Sequence, residues 1–506
     1  MSGFTSITNG QAIEYHHIPR LDFATFRDGL LAGVRQGHRV ASLFGKAGEE
    51  SAGVELVLVL ADDQQNCLFI GKTFIPDNQF PSLTPDCPQV HLFEREIAEQ
   101  FNLQPIGHPW LKPVRFAPPL THGEDGIRPI QPPTIGKMDF YRVSGEEIHE
   151  VAVGPVHAGV IEPGHFRFQC HGEKVFHLEI SLGYQHRGIE SALIGGPHPL
   201  TLRQIETIAG DTTLGHSWAY CQNLEALAQT RVTAREQVIR AIGLELERLA
   251  NHTGDLGALA GDVGYLPTQS FCGRIRGEFL NMTATLCGNR FGRSFLRPGG
   301  VRFDLEPGQI ETLIDQLDAA ETDLISAVEL LWETPSVMGR FENTGVVTRD
   351  QGLQLGFVGP TARACGIERD VRTDHPTGVY QFVNLPVAMT HYGDVNSRSY
   401  VRWLEIRRSL RFIRERLTAM PEPRQASRTI GPLAPNSLAV SLVEGWRGEV
   451  CHVALTNAAG RFSRYKITDP SFHNWTALAL ALRNQPISDF PLCNKSFNLS
   501  YCGHDL

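Results

Sequence analysis

The stretch Thr233-Ala234-Arg235-Glu236-Gln237-Val238-Ile239-Arg240-Ala241-Ile242 sets a helix-capping threonine three residues ahead of a glutamate. That is a capping-box pattern, in which the two side chains satisfy backbone N–H groups that the first helical turn leaves unpaired. Val238, Ile239, Ile242, Leu246 and Leu249 follow on one helical face, which must be buried. Working outward, a longer helix is expected after Pro307. Its residues Ile310, Leu313, Ile314, Leu317, Leu324, Ile325, Val328 and Leu331 are spaced for a packed bundle. Ser399 to Leu417 reads as another helix, strands are expected over 438–454, and a last helix over Phe472 to Leu482. Upstream of this helical region, segments to about Tyr184 are strand-like. The sequence from 146 to 506 therefore reads as one large, mostly helical domain with β-segments.

A smaller unit precedes it. The run Val54-Glu55-Leu56-Val57-Leu58-Val59-Leu60 is strand-like and ends at Ala61-Asp62-Asp63. Phe93, Ile97 and Phe101 fall on one helix face within 90–101. Residues 1–116 are thus a small α+β domain. The Pro- and Gly-rich stretch 117–145 cannot hold a regular helix and reads as a linker. The fold class is α+β.

Composition narrows the function. The chain has 506 residues, with 46 Lys+Arg against 55 Asp+Glu, a net charge of −9. No basic excess exists to displace phosphate counterions, so nucleic acid is not the expected partner. No apolar run reaches the ~18 residues that a membrane helix needs, and the first residues lack the pattern of a signal peptide. The ten cysteines are scattered without a CxxC, so no zinc, haem or cluster-binding spacing is present. No GxGxxG, P-loop or GxSxG context occurs. His157, Glu162, His165 and His171 lie together in a Gly- and Pro-rich region, either as a proton-relay cluster or as an ordinary hydrated turn.

Several motifs together carry a resemblance. Glu94-Arg95-Glu96 with Phe101-Asn102 and Gly107-His108-Pro109-Trp110-Leu111 resemble the C-type component of bacterial NADH:quinone oxidoreductase (complex I). Gly154-Pro155-Val156-His157, Glu162-Pro163-Gly164-His165-Phe166-Arg167 and His186-Arg187-Gly188-Ile189-Glu190 resemble its D-type component. The whole is similar to the formate hydrogenlyase type of membrane-bound nickel–iron hydrogenase, in which C-like and D-like parts are fused. Arg297-Pro298-Gly299-Gly300-Val301, Glu444-Gly445-Trp446-Arg447-Gly448-Glu449 and Tyr465-Lys466-Ile467 extend the match.

The departures bear directly on function. The resemblance implies two CxxC pairs as soft ligands for nickel and iron, but the four positions here are Ala209, Thr212, Ser500 and Gly503. Cys502 lies off register. No metal is expected; if one were held, Asp211 or His216 would be the non-thiolate candidates. For quinone, the family's tyrosine position is Gly210 and its aspartate position, Asp262, is retained. The counterpart of its histidine falls near His157 or Glu162. The resemblance further implies that Arg187 sits beside an iron–sulfur cluster of a small partner subunit, the alternative being an ion pair with Glu190 or another carboxylate. It makes Glu162 a proton-transfer group, the alternative being a turn cap. It sets Arg447 over the lost metal site, where it could meet Asp211. The expected role is a redox subunit at the cytoplasmic side of the inner membrane. It would bind no cofactor itself, dock on an iron–sulfur subunit and membrane-embedded proton-pumping subunits, and leave quinone as one acceptor. A non-catalytic structural or coupling subunit is the alternative, and a working hydrogenase is a third.

Overall fold

A computed structural model describes residues 3–48, 53–120, 134–423 and 430–506. The N-terminal unit is a sheet in which Val54–Asp62 pairs antiparallel with both Arg39–Ala47 and Cys67–Ile75. The unbroken apolar run explains this central place, since both faces of the strand are covered. Leu56, Leu58 and Leu60 pack with Phe93 and Ile97 of the helix His91–Phe101. Val57 and Val59 face the other way, against Leu438, Val440, Leu442 and Val453 of the large unit. Asn102 ends the helix in the left-handed conformation, with φ of 53°.

The expected linker falls partly on residues 121–133, outside the described residues. Its described parts, 117–120 and 134–145, contain no helix or strand. Beyond it, Ile148–Val153, His165–His171 and Lys174–Ser181 form an antiparallel three-stranded sheet. The helices Thr213–Leu227, Ala234–Asp262, Leu266–Cys287, Pro307–Trp332 and Val395–Thr418 build the main apolar core. A second sheet follows, from Ser437–Gly445, Gly448–Thr456 and Phe462–Thr468, and Ala12–Glu14 joins its edge.

Two expectations need correcting. The helix Ala234–Asp262, at 29 residues, exceeds Pro307–Trp332, at 26. Pro470–Ala481 is not the last helix, because Phe490–Phe497 and Tyr501–Asp505 follow it. The capping box at Thr233 is also only half formed. Its hydroxyl accepts from Glu236 N at 3.3 Å, but the Glu236 carboxylate accepts from the Thr233 hydroxyl and from Val301 N rather than from the Thr233 backbone. Gly300 makes room for it, since a Cβ there would collide with Glu236 Oε1.

Candidate functional site

Three segments meet where the resemblance sets a metal centre: the loop 208–212, the hairpin turn 445–448 and the C-terminal residues 498–506. Arg447 donates bidentately to Asp211, at 2.6 Å to Oδ1 and 2.7 Å to Oδ2, and its Nε donates to Asn498 O at 2.5 Å. Its guanidinium also lies 3.9 Å from the Trp446 ring centroid, and Trp446 Nε1 donates to Asp211 O. Burial pushes the Asp211 carboxyl upward, but the Arg447 guanidinium outweighs it and leaves the pKa below the usual carboxylate value. The Asp211 side chain is 36% exposed, so water screens part of this attraction.

Asp469 supplies the second feature. It caps the helix Pro470–Ala481 by accepting from Ser471 N. Its other oxygen lies 3.0 Å from His216 Nε2, His216 Nδ1 lies 3.1 Å from His452 Nε2, and His452 Nδ1 lies 3.0 Å from the Tyr465 hydroxyl. All four side chains are buried. Burial holds His452 well below the usual histidine range, so it carries one ring proton. Burial raises Asp469, but the hydrogen bond and charge of His216 prevail and favour the carboxylate. With His216 neutral, Tyr465 donates to His452, which donates to His216, which donates to Asp469. The four side chains thus form one continuous, buried hydrogen-bonded line.

Glu162 reaches the same place. Its carboxylate lies 3.4 Å and 3.3 Å from Tyr501 N and Cys502 N, as a cap on the last short helix. Burial, then the Glu162 charge, pushes the Cys502 thiol up to about 12, so it is not a reactive thiolate. Arg187 is exposed and makes no pair with Glu190. It donates to Thr207 O at 2.6 Å and Ile208 O at 2.9 Å, with a longer contact to Cys502 O, and so ties two of the segments together. Glu190 is instead bound by Arg464 and Lys466.

The structure therefore brings together Asp211, His216, Arg447, Glu162 and, at the edge, Arg187. It does not bring in Asp262, the last residue of its helix. Eleven residues past Asn251, which donates to Asp211 O, Asp262 is about 16 Å further along that helix. His157 bonds Gly164 O, His165 bonds Gly154 O and His171 pairs with Glu147, so the His-rich stretch does not converge. Sequence reasoning missed Asp469, His452, Tyr465 and Glu247. For Asp469, the one available signal was Asp-Pro ahead of an apolar run, a helix-start pattern.

The residues do not fit a thiolate-bound nickel–iron group. None of Ala209, Thr212, Ser500 and Gly503 carries sulfur, and Ser500 Oγ is used as the cap for Gly503 N. A Cβ on Gly503 would lie 2.6 Å from Asp469 Oδ2, so the carboxylate fills the space of the fourth ligand. Among the described residues, the one His/Cys/Asp/Glu group close enough to share a metal is Glu14, His16 and His17, on the surface of the N-terminal segment. The quinone set fares no better, because Gly210 offers no side chain, His157 bonds elsewhere and Asp262 lies too far along its helix.

Residues 31–123 match the respiratory-chain NADH dehydrogenase 30 kDa subunit family, and residues 262–432 match the 49 kDa subunit family. The carbon monoxide-induced hydrogenase of Rhodospirillum rubrum is 32% identical over 351 residues, covering 69% of this chain and 97% of that protein. The chain belongs to the family of complex I and membrane-bound hydrogenase large subunits. Formate hydrogenlyase subunit 5 of Escherichia coli is 27% identical over 492 residues, 92% of this chain and 84% of that one. The D-type component of NADH-quinone oxidoreductase from Clostridium beijerinckii is 27% identical over 356 residues, 70% of this chain and 95% of the relative. Membership in this family makes the chain a component of a complex I-like or hydrogenase-related oxidoreductase with several subunits. No helix among the described residues is long and apolar enough to cross a membrane.

Proposed function

We propose that this chain docks on an iron–sulfur small subunit and on membrane-embedded proton-pumping subunits, at the cytoplasmic face of the membrane, and holds no nickel–iron centre. One observation carries the reading. Asp469, the first member of a buried line through His216 and His452 to Tyr465, fills the space of the Gly503 position, and the Arg447–Asp211 pair lies beside Thr212. In this role the chain couples electron transfer in its partner to proton movement. Arg187 has an exposed charge and only carbonyl partners among the described residues, which suits it to face a reduced cluster and raise that cluster's potential. The buried line from Asp469 to Tyr465 is the path by which protons answer that change in charge.

The test is a redox titration of the complex purified with its partners, followed by electron paramagnetic resonance. Arg187→Gln is expected to lower the midpoint potential of the nearest cluster by some tens of millivolts, an order-of-magnitude figure for one screened charge. An unchanged potential rules out this placement of Arg187. A purely scaffolding role is favoured by a single feature, the filling of the Gly503 space by Asp469. Under that reading, His216→Gln leaves turnover unchanged as long as the complex assembles; under the coupling reading, turnover falls in a fully assembled complex.

A further inference from the structure

The turn Glu14-Tyr15-His16-His17 gathers three metal-ligating side chains at the edge of the second sheet. One ligating atom from each of Glu14, His16 and His17 lies within 4.8 Å of the other two, and His16 Nδ1 is 3.3 Å from Glu14 Oε2. The two imidazole ring centroids are 4.0 Å apart. Bonds of about 2.0–2.2 Å hold two donors on one tetrahedral zinc about 3.4 Å apart, so the Glu14–His16 pair already has that spacing. All three side chains are exposed, and small rotations bring His17 in. Apart from the Glu14–His16 contact, none of them has a side-chain hydrogen bond or ion pair among the described residues. The backbone beneath them is firmly held. Ala12–Glu14 pairs with Ser437–Ala439, Tyr15 N donates to Asn436 O at 2.8 Å, Lys72 Nζ donates to Tyr15 O at 3.1 Å and Thr5 Oγ1 donates to His17 O at 3.1 Å. The three ligands therefore project from a fixed scaffold, which lowers the cost of gathering them.

We propose that Glu14, His16 and His17 bind one zinc ion. Two imidazoles and a carboxylate suit this metal, and three protein ligands leave its fourth position open to water or a small anion. His16 borders a cleft of about 430 Å³ that Arg20, Lys46 and Lys72 also line, with Glu55 as the one carboxylate among its described lining residues. These cations favour an anion in the fourth position and oppose a bare dication. The affinity is therefore micromolar rather than that of a buried structural zinc. Bound zinc ties the end of the strand Ala12–Glu14 to the turn after it, and a ligand held by the folded chain alone stabilises that chain. The site uses none of the residues at the candidate functional site, so this inference stands or falls separately from the proposed coupling role.

The experiment is a calorimetric titration of zinc chloride into the full chain, first stripped with EDTA and then freed of chelator. One zinc per chain with a micromolar Kd is expected, together with a higher melting temperature. His16→Ala with His17→Ala is expected to weaken binding by at least about tenfold, the least that losing even an outer partner of a ligand costs. The melting temperature of the metal-free chain stays unchanged in that variant, because both side chains are exposed. His171→Ala removes an exposed histidine that is paired with a single carboxylate, Glu147, and leaves zinc binding intact. Heat that does not saturate, binding that survives in the double variant, or an equal loss in His171→Ala overturns the proposal. Nickel that the double variant still holds lies at another site, so this surface ion is told apart from a nickel–iron centre.

Discussion

Glu247 shows how one side chain can set the pH response of the candidate site. Its carboxyl is buried, accepts two backbone N–H groups and sits near the Asp211 charge, and it titrates at about 8. An unfolded glutamate titrates near about 4.3. The folded chain therefore binds an extra proton between these values, and stability must fall as the pH rises from about 4 to about 8. Glu247→Gln keeps an oxygen acceptor but cannot ionise. Urea unfolding at pH 5 and pH 8 is expected to show a loss of a few kcal/mol in the wild type (on the order of 1.4 kcal/mol for each tenfold change in proton affinity) and little loss from this source in the variant. Equal slopes contradict the account. The Asp211–Arg447 contact was legible from the family motifs, because the resemblance sets Arg447 over the lost metal site and Asp211 lies between the ligand positions Ala209 and Thr212. Asp469 was not, since its carboxylate reaches Gly503 from a distant segment of the sequence, and only the fold brings the two together.

Among the elements, the helix Ala234–Asp262 was readable from its cap and its apolar period, because both signals are local. Its capping box departs from the expected form for a tertiary reason: Val301 N competes for Glu236 and wins. Thr233 now holds Glu236 through its backbone N–H and, by donating at 2.9 Å, through its carboxylate. Thr233→Ala is expected to cost about 1–2 kcal/mol, read as a lower urea midpoint with an unchanged slope. A loss under about 0.3 kcal/mol, well below the usual cap contribution, contradicts this role. The strand Ala12–Glu14 was invisible in the sequence. Three residues give no period, and their partner, Ser437–Ala439, lies more than four hundred residues away.

At the scale of the molecule, the two units are joined by a buried ionic contact. Lys466 Nζ lies 2.6 Å from both Glu96 oxygens and 3.1 Å from Glu190 Oε1, while Arg115 also pairs with Glu96 and Arg464 with Glu190. Burial opposes ionisation of both glutamates, but the Lys466 charge and the arginines hold them below the usual carboxylate range. Lys466→Met leaves two carboxylates facing each other without their shared cation. The expected loss is about 3–5 kcal/mol, as for other broken buried pairs, and it should fall on the whole chain if the units unfold together. Two separate transitions in the wild type contradict that coupling. Glu96 and Glu190 lie in the motifs that carry the family resemblance, yet their meeting at Lys466 required the fold.

The central claim is that this large subunit works without a nickel–iron centre, its ligand space taken by Asp469, Ser500 and the Arg447–Asp211 pair. Elemental analysis of the complex, purified with its partners, tests it most directly. The account predicts iron from a partner's clusters and no nickel above background. One nickel per chain would contradict it and turn attention to Asp211 and His216 as ligands.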